Sequence, residues 1–313
     1  MKKNHLVSAD FFLTALGLGG AALGNLYQAI SDDVAAETIL AAWASGIRYF
    51  DTAPHYGCGL SERRLGKVLK QFPRHDYVLS TKVGRLLRPG VSTEKSIFEN
   101  ALPFYEVFDY SYDGIMRSFE ESVQRLQTTY IDILLIHDLG QLTHKDQHDF
   151  HLLEFLDSGY RALAELRDQQ CVRAIGLGVN EWEICVEIFP HVELNCVMLA
   201  GRYTLLDRST PQHFFDQCVA KNISLIIAGP YNSGILAGGR HFEYAEPSSD
   251  IKKRVNQLKI LCSAHAVDLP HAALQFPLQH PSVVSVVAGA KSSEEIEQAA
   301  RYIKQPIKAF FAQ

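Results

Sequence analysis

Four side chains suited to moving protons sit at or just beyond the ends of short apolar runs. Asp51 closes the segment IRYFD, Tyr56 follows in TAPHYG, Lys82 closes LSTK and His137 closes LLIH. Singly, each has an ordinary explanation: a loop cap, a surface ring, a solvated amine, a satisfied core imidazole. Together they are harder to dismiss, because a lysine entering from an apolar strand needs a carboxylate partner. Asp51 is placed to be that partner. A free tyrosine, with a pKa of about 10, is a poor base at neutral pH. A neighbouring ammonium favours the phenolate and lowers that value. Lys82, held by Asp51, is expected to do this to Tyr56. Tyr56 could then take a proton from an alcohol or give one to a carbonyl oxygen. His137 could bond and orient the same oxygen. No side chain supplies a hydride, so carbonyl–alcohol interconversion at this set implies a nicotinamide cofactor.

Groups so far apart in sequence converge only if a regular scaffold brings strand ends together. Eight short apolar or β-branched runs recur: 14–20, 47–51, 77–82, 131–137, 172–179, 196–199, 223–228 and 283–288. Most are continuously apolar, as strands buried on both faces are. Helical patterns separate them, over 33–45, 61–70, 114–127, 159–169, 181–189, 211–221, 252–265 and 293–302, with Thr210 and Pro211 read as cap and first helical position. Alternating strand and helix predicts parallel pairing through crossover helices. An open doubly wound sheet is possible, but eight units fit an α/β fold of the closed (β/α)8 TIM-barrel type better, with residues 1–313 as one domain. The length beyond a standard barrel falls in three segments that follow strands, 84–113, 140–158 and 230–250. They are expected as long βα loops over the C-terminal face, where barrel active sites lie.

Composition removes several function classes. With 30 Lys and Arg against 35 Asp and Glu, the net charge is −5. That weighs against nucleic acid or an anionic membrane as partner. The six cysteines form no C-x-x-C pair and read as small buried hydrophobes of a cytoplasmic, reducing compartment. Lys2 and Lys3 before the uncharged stretch 11–27 have the layout of an export signal. Asp10 and Gly17, Gly19, Gly20 and Gly24 favour a first strand and turn instead.

The segments FDTAPHYGCGLSERRLG, STKVG, IDILLIHDL, AIGLGVNEW and VVSVVAGAKSSEEIEQA resemble those of the aldo-keto reductase family, in matching order and over nearly the whole chain. The first is the most specific, carrying Asp51, Tyr56, Glu62, Leu65 and Gly66 together. The resemblance implies a (β/α)8 barrel, a catalytic tetrad of Asp51, Tyr56, Lys82 and His137, and nicotinamide binding without a Rossmann domain. GNLYQ, FYEVFDYSYDGIMRSFEESVQRL, GYRALAEL and GVNEW narrow it to the D-threo-aldose (L-fucose) 1-dehydrogenase and pyridoxal 4-dehydrogenase branch. That branch implies oxidation of an alcohol or cyclic hemiacetal to a carbonyl or lactone, an aldose being the leading substrate. Pyridoxal oxidation and general aldehyde or ketone reduction are the alternatives.

By the same resemblance, the loop of Gly289, Lys291 and Ser292 meets the adenosine phosphates, and Gly229 lies on the cofactor rim. Ser292 and Glu295 also form an S-x-x-E capping box, and both roles can hold. A carboxylate at Glu295 would repel a 2′-phosphate, which favours NAD over NADP, although Lys291 could still serve a phosphate. Asn180 is the remaining amide partner for the nicotinamide, or else a helix N-cap. The family's usual glutamine on the sixth strand is replaced by Ala200 or Gly201, and Tyr203 is the ring-stacking candidate. Aromatics of the first long loop, Phe98, Phe104, Tyr105, Phe108, Tyr110 and Tyr112, suit a sugar or pyridine face or the loop's own packing. His55, Trp182 and Tyr231 are further substrate candidates. A monomer or homodimer acting on a small molecule is expected.

Three rival readings are weaker. Gly17, Gly19 and Ala22 fit G-x-G-x-x-A, but the acid about 20 residues on, Glu37, falls inside a helix pattern. His144, His148 and His151, with Asp146 and Asp149, could hold a metal, but a wet polar loop is the better reading, so no metal is expected. A non-catalytic nicotinamide-sensing barrel is opposed by the intact tetrad.

Overall fold

The computed structural model describes residues 1–90 and 96–307. The eight expected runs form one closed parallel barrel. In chain order its strands are β3 (Leu16–Gly19), β4 (Tyr49–Asp51), β5 (Val78–Val83), β8 (Ile131–His137), β9 (Val172–Val179), β10 (Cys196–Ala200), β11 (Ser224–Ala228) and β12 (Val283–Gly289), and β12 pairs with β3 to close the ring. Every residue of β5 and β8 is buried. This is why those strands read as unbroken apolar runs rather than alternating ones. A closed barrel excludes the doubly wound sheet, and with it the Rossmann reading of Gly17–Ala22.

The helices are α1 (Asp32–Ala44), α2 (Leu60–Leu69), α3 (Tyr112–Leu126), α4 (Gln141–His144), α5 (His148–Glu154), α6 (Tyr160–Asp168), α7 (Glu183–Ile188), α8 (Gln212–Ala220), α9 (Ser249–Ala264), α10 (Leu269–Gln275) and α11 (Ser293–Lys304). Serine side chains cap α1, α3, α9 and α11, accepting from the backbone N–H three residues on. Two expected starts shift. Pro211 is the extended N-cap of α8 rather than its first helical residue; Thr210 instead donates its hydroxyl to the Arg202 carbonyl at 2.7 Å. α7 begins at Glu183 behind Trp182, not at an Asn180 cap; the Glu181 carboxylate accepts from the Leu142 N–H, and the Asn180 side chain donates to Asp138.

Two hairpins lie outside the expected pattern. β1 (Lys3–Leu6) and β2 (Phe11–Thr14) pair antiparallel, and Leu6, Phe11 and Leu13 join Tyr49, Ile133, Met198 and Ile226 in the barrel's inner core. Asn4 bonds the Val284 carbonyl at the start of β12, so this hairpin plugs the end of the barrel opposite the strand exits. β6 (Arg85–Pro89) and β7 (Phe104–Phe108) form the second hairpin, within the first long loop. It leaves β5 through Gly84, whose φ of +100° and 2.3 Å approach of a built Cβ to the Tyr110 ring both require glycine. The other two long loops also follow strands, the second carrying α4 and α5.

Candidate active site

Three neighbouring strand exits bring together the residues expected to move protons. β4 ends in Asp51, β5 carries Lys82, and β8 ends in His137. Lys82 Nζ donates to Asp51 Oδ2 at 2.8 Å, to Asp51 Oδ1 at 3.0 Å and to the Thr52 carbonyl at 2.9 Å. Ser80 donates a further bond to Asp51 Oδ1 at 2.7 Å. Both partners of the ion pair are buried. Gly178 of β9 makes room for the lysine stem, since a Cβ there would stand 3.2 Å from Lys82 Cε. The ammonium lies 4.8 Å from the Tyr56 ring centroid. The His137 ring stands edge-on to Tyr56, centroids 6.0 Å apart.

The motif residues around Tyr56 hold its loop in place. Glu62, wholly buried on α2, accepts from Thr81 of β5 at 2.7 Å and from Arg125 of α3 at 2.5 Å. Gly66 lets α2 lie against the Leu126 backbone, where a Cβ would come within 2.3 Å.

The electrostatics of the four residues depart from the expectation at Tyr56. Burial would lower the Lys82 pKa, but Asp51 and Tyr56 outweigh it and hold the ammonium charged. Burial raises Tyr56 above its ordinary value; Lys82 opposes this and Asp51 adds to it. Lys82 thus favours the phenolate as expected, yet the net shift is upward, because removing a phenolate from water costs more than the already neutralised ammonium returns. His137 is held well below the ordinary imidazole range by burial and then by Arg85, Lys82 and His55. It is a neutral ring, fit to donate or accept a hydrogen bond without carrying charge.

A net of charged residues surrounds this centre, and sequence reasoning missed three of its members, Arg85, Glu106 and Asp138. His55 Nδ1 meets Glu106 Oε1 at 2.5 Å; Arg85 joins Glu106 Oε2 at 2.9 Å and Asp138 Oδ2 at 2.5 Å. Asn180 donates to Asp138 Oδ1 at 3.3 Å. Arg85 and Asp138 sit one residue beyond the STKVG and LLIH motifs, so adjacency was the available signal. From across the mouth, His241 of the third long loop stacks on Tyr27 at 4.1 Å, and Glu243 pairs with Arg202.

The other candidates divide. Tyr110 is fully buried and donates its hydroxyl to the His137 carbonyl at 2.7 Å, so it braces His137 rather than facing a substrate. Phe108 lies under the Arg85 guanidinium and 4.6 Å from His144, also behind the site. Phe98, by contrast, faces His55 and Tyr56 at 5.0 and 6.0 Å. Tyr203 packs among Phe215, Phe276 and His280, away from a stacking position. Tyr231 joins the cluster of Leu236, Ala272 and Phe276 near α10. Trp182 lines a separate cleft of about 560 Å³ with Glu181, Glu187 and Arg202, which no tetrad residue lines. His144, His148 and His151 do not form a wet loop. The helices of the second long loop bury all three rings, against Tyr110, Glu187 and Glu154 respectively. Among the described residues no group of three or more His, Cys, Asp or Glu could hold a metal, and no helix is long and apolar enough to cross a membrane. All six cysteines are free thiols.

The opposite arc of the rim has room for a cofactor. β12 ends in Gly289, while Gly201 and Gly229 directly follow β10 and β11. A Cβ on any of them would find its nearest neighbour only at 3.8, 3.8 and 3.9 Å for Gly201, Gly229 and Gly289. Beyond Gly289 begins α11, with Ser292 capping the Glu295 N–H at 3.4 Å and Glu295 accepting from the Lys291 N–H at 3.0 Å. Lys291 Nζ meets Gln28 at 3.1 Å. An open glycine rim leading to a helix N-terminus fits a dinucleotide pyrophosphate. Lys291 and Ser292 are the side chains that would hold the pyrophosphate, and Asn180 the one that would meet the nicotinamide amide.

A profile of the aldo/keto reductase family matches residues 15–311. The chain is 43% identical to the pyridoxal 4-dehydrogenase of Microbacterium luteolum, over 98% of this chain and 94% of that protein. It is 37% identical to a D-threo-aldose 1-dehydrogenase of a Pseudomonas species, over 96% and 93%. Among solved structures it resembles the holo form of an aldo-keto reductase from Bacillus halodurans, with TM-score 0.76 and 26% identity, covering 99% and 93% of the two chains. Barrel, buried tetrad and these similarities agree: the chain belongs to the aldo/keto reductase family and is an NAD(P)-dependent oxidoreductase.

Proposed function

We propose that the protein oxidises the hydroxyl of a cyclic hemiacetal to a lactone with NAD, an aldose of the L-fucose or D-threo type being its substrate. The observation that carries this reading is the buried Asp51–Lys82 pair lying against Tyr56, beside the neutral ring of His137. The substrate hydroxyl passes its proton to Tyr56 Oη, and Lys82 stabilises the phenolate that receives it. Asp51 keeps Lys82 charged and fixed. His137 bonds the reacting oxygen and orients it without competing for the proton. A bound nicotinamide supplies the hydride acceptor. In reduction, Tyr56 returns its proton to the carbonyl oxygen.

Pyridoxal is the second reading, favoured by the 43% identity to a pyridoxal 4-dehydrogenase. In water its aldehyde closes with the neighbouring hydroxymethyl group into a cyclic hemiacetal, so the chemistry asked of Tyr56 is the same. NAD is preferred because Glu295 places a carboxylate at the start of α11, where an added 2′-phosphate would meet like charge. We read residues 1–313 as one domain, a monomer or homodimer, and a cytoplasmic setting suits its free thiols. The test is kcat/KM for L-fucose, D-arabinose, L-galactose, L-xylose, pyridoxal and pyridoxine, each with NAD and NADP. A hemiacetal substrate with NAD should lead. A leading pyridoxine, a primary alcohol that forms no hemiacetal, would overturn the hemiacetal reading, and a strong NADP preference would overturn the role given to Glu295.

A further inference from the structure

His55 stands at the catalytic centre but has no part in the proton transfer from substrate to Tyr56. Its ring is 6.0 Å from that of Tyr56 and 5.7 Å from that of His137, centroid to centroid, and Phe98 meets it edge-on at 5.0 Å. A third nitrogen-bearing ring therefore borders the space above Tyr56. Its orientation is fixed from behind. Nδ1 meets Glu106 Oε1 at 2.5 Å, and Glu106 is itself held at 2.9 Å by Arg85. Burial alone would raise the Glu106 carboxyl, but the hydrogen bond from His55, with Arg85, brings it down to about 2. Glu106 is thus a carboxylate and can only accept. Arg85, which also lies 3.3 Å from Nδ1, can only donate. The Nδ1 proton therefore belongs to the bond with Glu106. With Nδ1 committed to Glu106, Nε2 is the nitrogen left for substrate, and in the neutral form of the ring it is an acceptor. Among the described residues no protein group bonds Nε2.

Tyr56 and His137 already account for the reacting oxygen. An acceptor one ring-width away must meet a different substrate atom, and it requires a donor. Both substrate classes, aldose and pyridoxal, offer one. A cyclic aldose carries a hydroxyl on the carbon next to the anomeric centre. Pyridoxal carries a phenolic hydroxyl on the ring carbon beside the one bearing its aldehyde. In both, the second hydroxyl lies within about one hydrogen-bond length of the reacting oxygen. We propose that His55, held by Glu106, orients the substrate by accepting a hydrogen bond from a hydroxyl adjacent to the reacting centre. The site then selects hemiacetals carrying such a neighbour over those with hydrogen in its place. This inference rests on the hemiacetal reading and narrows it to one substrate feature. It also explains why a charged β6–β7 hairpin is built against the mouth: Arg85 and Glu106 set the tautomer of a substrate contact.

The experiment compares matched pairs in the full-length protein: L-fucose with 2-deoxy-L-fucose, and pyridoxal with 3-deoxypyridoxal. The wild type should favour the hydroxylated member by about tenfold or more in kcat/KM. His55→Phe keeps the ring packing on Phe98 but removes the acceptor, and the ratio should fall to near one. His55→Asn, whose amide stops short, should show the same collapse and serves where His55→Phe does not fold. A ratio preserved in these variants while both rates drop together would assign His55 a purely structural role and overturn the inference. So would a wild type that does not discriminate. If neither pair is oxidised with NAD or NADP, the hemiacetal reading itself falls, and the inference falls with it.

Discussion

The two arcs of the barrel mouth are built on opposite plans. Along β4, β5 and β8 the functional atoms are side chains, buried and tied to one another through Asp51, Lys82, Ser80 and the Arg85–Glu106–Asp138 net. Along β10, β11 and β12 the rim is glycine, at positions 201, 229 and 289, with backbone and a helix N-terminus in place of side chains. The first plan suits proton transfer, which needs few groups held rigidly at set protonation states. The second suits a long dinucleotide, which needs space and N–H donors. The expected consequence is a separation of effects: damage to the first arc should fall on chemistry, damage to the second on cofactor affinity.

Tyr56→Phe is the sharpest probe of that separation. Turnover should fall by roughly 10²- to 10⁴-fold, while NAD affinity, followed by quenching of protein fluorescence, stays within about twofold. A parallel loss of affinity would merge the two arcs. Lys82→Met should cost both activity and stability, because Asp51 would remain buried without its partner. About 3–5 kcal/mol is expected, read from urea unfolding, and a loss below about 1 kcal/mol would show that the pair is not buried as described. Gly289→Leu should act on the other arc alone. With no close neighbour for its Cβ, it should change stability by less than about 0.5 kcal/mol. The KM for NAD should rise by about tenfold, with kcat little altered. An unchanged KM would remove the cofactor from that rim.

The same contrast explains what could be read from the sequence. Side chains suited to chemistry leave a mark in residue type, so Asp51, Tyr56, Lys82 and His137 stood out, and short apolar or β-branched runs marked every barrel strand. A glycine rim leaves little mark, because glycine serves turns as readily as ligands. Tyr203 illustrates the failure: position after a strand suggested a ring facing the mouth, but only packing against Phe215 and Phe276 decided where it turned. Tyr110 failed likewise, since an aromatic loop residue can face substrate or brace a catalytic strand. Glu106 was invisible because its partner His55 lies 51 positions away and meets it only through the β6–β7 register. The direction of the Tyr56 shift needed the depth of burial, which spacing does not report.

The pH dependence of hemiacetal oxidation tests the central claim that Tyr56, not His137, carries the proton. Burial holds the Tyr56 proton to a value above its ordinary one of about 10, and His137 is neutral throughout the working range. kcat/KM for oxidation should therefore rise steadily from about pH 7 to about pH 9.5 without a plateau, while reduction, which needs the protonated phenol, stays flat over the same interval. An oxidation rate that levels off near about pH 7 would reveal a base in the ordinary imidazole range and contradict the assignment.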